Sequence, residues 1–196
     1  MEEIVRFVLE LDKLKGVLRK VRPLGLERYE NSAEHTWQLM LMALALERYA
    51  AVPVDANRVL RMLLVHDVGE IDTGDTMAFV EGGWAERKRD ELAAVTRILD
   101  LLPEGSRAGL GAELLTLWKE FETGETPEAK FANSVDRAMP VLLNLNNSGQ
   151  SWKENGISYE RVVKRVEVQI AEGCPAMWEY LRGRLDEVRG LGMFGG

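Results

Sequence analysis

Leu60-Arg-Met-Leu-Leu-Val-His66-Asp67-Val-Gly-Glu70 is an apolar run that closes on three ionisable side chains. Asp55 ahead of it is a good N-cap, and Val68-Gly69 marks its end, so the spacing predicts a helix over about 55–69. Successive helical residues point about 100° apart, so a cation beside the helix can be reached by both His66 and Asp67. Glu70, four residues past His66, shares their face if the helix continues. Upstream, Asn31-Ser-Ala-Glu-His35 opens another helix, running to about Tyr49, with Asn31 and Glu34 in a capping-box pattern.

His35 and His66 are the only two histidines of the chain. A lone histidine on an apolar helix is most often a satisfied core residue, and an aspartate after it can simply end the helix. Coincidence argues otherwise here. Glu34-His35, His66-Asp67 and Glu70 all interrupt apolar faces, and buried ionisable groups are costly unless paired or bound to a cation. Two imidazoles with hard carboxylates suit a divalent transition metal.

Helical periodicity extends along the whole chain, and sustained strand-like alternation is absent. Ile4, Phe7, Val8 and Leu11 form one stripe over residues 3–14. An arginine- and glycine-rich loop follows, to about Tyr29. Further helices are expected over 84–101 (stopped by Pro103), over 107–122, and from Thr126-Pro127 to about Leu145. Asn146–Gly156 reads as a polar loop, Ser158 and Pro175 open two last helices, and Gly190–Gly196 is expected to fray. The expected architecture is all-α, a bundle of about eight helices in a single domain over 1–196. Its metal-binding core covers about 30–145 and its C-terminal helices about 158–190.

The chain has 196 residues, 46% hydrophobic and 29% charged, enough for one domain with a sizeable core. Its formal net charge of −7 argues against binding a nucleic acid polymer, which needs a basic footprint. A small anionic substrate remains compatible, because a local arginine pocket can hold a phosphate on an acidic protein. Cys174 is the one cysteine, so no intrachain disulfide can form and a reducing interior is the natural setting. Met1-Glu-Glu-Ile lacks the basic start and apolar core of a signal peptide, and the longest apolar stretch, around Leu39–Leu46, is too short to span a bilayer. The expectation is a cytoplasmic protein with no membrane segment.

The ordered motifs resemble the HD-domain superfamily of metal-dependent phosphohydrolases, whose name comes from the doublet at His66-Asp67. The branch most similar contains the 5′-deoxynucleotidases. Arg28-Tyr-Glu-Asn-Ser-Ala-Glu-His35 and His66-Asp67-Val-Gly-Glu70-Ile-Asp-Thr-Gly-Asp75 carry that likeness, as do Leu117-Trp-Lys-Glu-Phe-Glu-Thr and Lys130-Phe-Ala-Asn-Ser-Val-Asp136-Arg137. The resemblance covers about residues 4–170. It implies that His35, His66, Asp67 and Asp136 hold one divalent ion (Mn, Co, Ni, Fe or Zn). It further implies that Glu70 and Asp75 are catalytic, and that Arg19 and Arg28 bind substrate. The implied activity is release of phosphate from (deoxy)nucleoside 5′-monophosphates. Hydrolysis of another phosphomonoester or a cyclic nucleotide, and a non-catalytic metal-binding sensor, are the alternatives. Lys20 stands where look-alike bacterial enzymes carry an aromatic residue, which predicts weak discrimination against ribose. Pro140, four residues past Asp136, is expected to kink the helix there. Apolar residues around Trp84–Leu102 and Trp178–Leu185 leave a homodimer open, although their helical spacing is the spacing of core.

Overall fold

A computed structural model describes residues 1–80 and 82–195. Eight helices of ten residues or more carry the architecture: α1 Glu2–Asp12, α2 Ser32–Leu46, α3 Ala56–Val65, α5 Trp84–Leu99, α7 Ala112–Thr123, α8 Pro127–Asn146, α10 Tyr159–Gly173 and α11 Pro175–Val188. Three short turns of helix join them, α4 Glu70–Thr73, α6 Glu104–Ser106 and α9 Gln150–Glu154. Among the described residues there is no strand, and no helix is long and apolar enough to cross a membrane.

The predicted starts hold because their caps form. Asn31 and Glu34 make the reciprocal capping box of α2, Asp55 accepts from two N–H groups opening α3, and Thr126 with Pro127 opens α8. The third helix ends earlier than its apolar run suggests, at Val65. His66 Nδ1 lies 2.7 Å from the Leu63 carbonyl, and tight turns follow through Val68 N→Val65 O and Glu70 N→Asp67 O. The His66 side chain thus occupies a carbonyl one turn back, and regular helix gives way at the doublet.

α8 is the central element. Its N-terminal half packs into one apolar cluster with α2, α3, α5 and α7, built around Leu39, Met62, Ile98, Leu117 and Phe131. Its C-terminal half joins α9, α10 and α11 around Trp152, Ile170, Leu181 and Leu185. α8 runs through Pro140 without interruption, so the proline removes the helical donor to the Asp136 carbonyl without ending the element.

Two expectations are corrected on the α9 side. Asn146–Gly156 is not simply a polar loop: Asn144 Oδ1 accepts from the N–H groups of Ser151 and Trp152, folding α9 so that Trp152 is buried. The glycine-rich tail, described to residue 195, packs back rather than fraying. Phe194 stacks on Trp152 at 4.8 Å, and Gly195 N–H donates to Ile157 O. In the segments considered for a dimer interface, Leu99, Leu102, Leu181 and Leu185 are core residues, as their spacing implied.

Candidate metal centre

Arg19 reaches the centre through a short antiparallel pairing. Arg19 N–H donates to Glu30 O, Glu30 N–H to Val21 O, and Ser32 N–H to Val17 O, with Leu18 bridged to Asn31. This lays the 17–21 segment against the start of α2, beside His35.

His35, His66 and Asp136 each place a ligand atom within 4.8 Å of the others, from α2, the turn after α3, and α8. His35 Nε2 lies 3.0 Å from Asp136 Oδ1, and His66 Nε2 lies 4.0 Å from the same oxygen. Asp67 joins through Oδ1, 3.0 Å from His66 Nε2. The geometry brings three of the four sequence-predicted ligands into one cluster and sets Asp67 beside it, against His66.

Each imidazole is held from behind. His66 Nδ1 donates to Leu63 O, which leaves the buried Nε2 facing the carboxylates, 3.0 Å from Asp67 Oδ1. His35 Nδ1 lies 3.4 Å from Glu30 Oε2, so a carboxylate backs the second ring. Trp118 Nε1 donates to His66 O and Phe121 packs edge-on against the His66 ring at 5.0 Å. Two buried imidazoles converging on two aspartates are a donor set that fits a divalent cation.

The electrostatics agree. Burial opposes a charge on His66, yet the carboxylates of Asp67 and Asp136 outweigh it and push the imidazole up to about 9. Burial likewise opposes ionisation of Asp136, but Arg137 and His35 hold its carboxyl well below the usual range. Asp67 is lowered against its burial by His66 and Arg19. Both carboxylates are held ionised by the positive charge around them.

Glu70 and Asp75 behave differently. Burial and then the Asp67 charge raise Glu70 well above the ordinary range. Glu70 Oε2 accepts from Ser32 Oγ at 2.6 Å, which aims it across α2. Asp75 is raised mainly by burial and sits 3.6 Å from Arg19 Nη1. Arg19 is itself largely buried, 3.1 Å from Asp67 and 3.5 Å from Glu30. Arg28 is not brought to the centre: it is exposed and its guanidinium is taken by Glu34, bracing the start of α2.

A pocket of about 770 Å³ opens over these residues. Asn133, Asp136, Arg137, Pro140, Val141 and Asn144 form its floor, a single stripe of α8 at helical spacing. Lys20 lines it beside Arg19. Sequence reasoning missed Glu30, Ser32 and the far wall on α10. Glu30 reads as a loop acid, and only its 2% exposure reveals the role. The capping box that carries Ser32 was visible, but the partner of its hydroxyl lies 38 residues away.

A helical bundle that closes on two histidines and an aspartate, with a second aspartate beside them, defines a class. The chain belongs to the HD domain family, whose sequence profile matches residues 11–178. It is similar to the 5′-deoxynucleotidase HDDC2 of Danio rerio, 31% identical over 69% of this chain and 66% of that protein. The Homo sapiens protein of the same name is 31% identical over 70% of this chain and 66% of its own length. The match therefore spans just under two thirds of these relatives. A crystal structure of a predicted metal-dependent phosphohydrolase from Magnetospirillum magnetotacticum superposes with a TM-score of 0.90 at 37% identity, covering 100% of this chain and 95% of that one.

Proposed function

We propose that this protein is a metal-dependent phosphohydrolase that cleaves nucleoside 5′-monophosphates, deoxyribonucleotides included, to nucleoside and inorganic phosphate. The observation that carries this reading is the buried convergence of His35, His66 and Asp136, with Asp67 Oδ1 3.0 Å from His66 Nε2. Relatives named as 5′-deoxynucleotidases support the substrate class. His35, His66, Asp67 and Asp136 would hold one divalent ion, and this donor set accepts Mn, Co, Ni, Fe or Zn. Such an ion lowers the pKa of a bound water and neutralises phosphoryl oxygens.

The chain's own groups supply the rest. Arg19 is poised to hold a phosphate oxygen once substrate competes with Asp67 and Asp75 for its guanidinium. Glu70, kept proton-avid by burial and aimed by Ser32, takes a proton from the attacking water at Oε1 or Oε2. The oxygen of that water bonds to phosphorus, the P–O5′ bond breaks, and the proton passes to the leaving nucleoside oxygen. Asp75 is the second carboxylate within reach of this exchange.

A phosphate-release screen of the purified protein over nucleoside monophosphates, with several divalent metals, tests the reading. Release from 5′-monophosphates with at least one metal is expected. dAMP should be favoured over AMP only modestly in kcat/KM, because Lys20 can swing away from a ribose hydroxyl or donate to it. No release from any nucleotide with any metal would remove the nucleotidase reading.

A further inference from the structure

The far wall of the pocket is basic in a protein of net charge −7. Arg161, Lys164, Arg165 and Gln169 face the pocket from α10, spaced as one helical stripe. The stripe connects to the metal centre through one residue. Arg137, 3.6 Å from Asp136, donates through Nε to Gln169 Oε1, and Arg165 Nη1 donates to the same oxygen. From Gln169 to Arg161 the helix rises by roughly 12 Å, at about 1.5 Å per residue, so the wall leads away from the reaction centre.

Among the described residues, no carboxylate neutralises these cations. Among the described residues, Arg161, Lys164 and Arg165 meet no carboxylate within 4.0 Å, whereas Arg19 and Arg137 at the centre both do. Arg161 and Arg165 each donate to a backbone carbonyl instead, of Phe79 and Ala78. Lys164 makes no bond among the described residues. Burial and the nearby Arg137 pull the Arg165 guanidinium down to about 10. Like charges gathered on one wall of a cavity are repaid when an anion arrives, and guanidinium groups match phosphate geometry.

We propose that Arg161, Lys164 and Arg165 bind a second phosphate of the substrate, remote from the one removed, so that the pocket favours bisphosphorylated nucleosides. This rests on the nucleotidase reading for its reaction: the 5′ P–O bond breaks, water supplies the incoming oxygen, and a nucleoside 3′-phosphate leaves with its remote phosphate intact. The scissile phosphate belongs to Arg19 and the metal ligands, and the second to α10.

The test compares adenosine 3′,5′-bisphosphate, ADP and AMP as substrates of the metal-loaded full chain. The bisphosphate should exceed AMP in kcat/KM by roughly tenfold, with the advantage shrinking as salt rises. ADP, whose second phosphate is attached to the first, should gain less. In Lys164→Gln and Arg161→Gln the ratio of bisphosphate to AMP should fall toward one. Lys164 is exposed and unbonded, so its substitution leaves the wall folded. Equilibrium binding gives an arm independent of turnover. Adenosine 3′-monophosphate should bind about tenfold tighter than adenosine, and both variants should erase that difference. Release from AMP with no bisphosphate preference, or binding differences unchanged in both variants, would overturn the second site. Absence of release from every compound would overturn the nucleotidase reading, and the binding arm would still decide this one.

Discussion

Glu70 and Glu91 are pocket carboxylates that burial pushes toward protonation, and they call for different experiments. Glu70 touches Ser32 and lies beside the ligands without belonging to the His35–His66–Asp136 cluster. Glu70→Gln keeps the shape and the bond from Ser32 but removes the proton acceptor. It should retain metal and fold while losing about 10²–10⁴-fold in phosphatase rate, measured as kcat beside metal content. Full activity would take Glu70 out of the mechanism and leave Asp75 as the next candidate. Glu91, on α5, is raised to about 7 by burial and by Glu122. The folded state therefore binds this proton more tightly than the unfolded chain. Its contribution to stability is complete below about 4.5 and is lost as pH climbs toward 7. Glu91→Gln stays neutral throughout, so its melting temperature should gain on the parent's as pH rises through that window. A difference that stays constant with pH would clear Glu91.

At the scale of elements, the approach of α10 to α8 sets the pocket's width. A Cβ on Gly173 would lie 2.2 Å from Lys130 O and 2.7 Å from the Ser134 Cβ, so the backbone of α10 lies directly on the backbone of α8 here. Gly173→Ala must push α10 away, and overpacking of this kind costs about 1–3 kcal/mol. The exposed Gly183 on α11 is the control, since a Cβ there meets nothing within 4 Å. Gly183→Ala should stabilise by about 0.5–1 kcal/mol through helix propensity. Calorimetric unfolding of both variants checks the contrast. A Gly173→Ala protein as stable as the parent would mean that the α8–α10 contact is looser than it stands.

For the whole molecule, the candidate metal centre draws on α2, the turn after α3, and α8. An ion bound by the folded chain alone stabilises by RT ln(1 + [L]/Kd), about 2.7 kcal/mol at a hundredfold excess over Kd. Chelation should therefore lower the melting temperature of the wild type, and restoring metal should raise it. Asp136→Asn should bind substoichiometric metal and lose most of that rise. A wild type that melts at the same temperature with and without metal, together with low metal content, would break the four-ligand assignment.

Much of this was legible along the chain, for reasons that differ by residue. Periodicity and caps are local, so the helices, their starts at Asn31, Asp55 and Thr126, and the ligand pairs beside them could be read from neighbours a few positions away. Asp136 and Arg19 took family resemblance, since an aspartate before an arginine on a helix looks solvated. Other features stayed hidden because they are made by residues distant in sequence. The early end of α3 depends on where the His66 ring turns, and the burial of Trp152 depends on Asn144 and on Phe194 from the tail. Glu30 became a support of His35 and Arg19 only when an antiparallel pairing set the 17–21 segment against α2. The sequence by itself determined an all-helical chain with a candidate metal-ligand set in order. Tertiary packing alone decided which carboxylates are pushed toward protonation and which cations gather on one wall of the pocket, because burial and charge proximity are properties of the assembled helices.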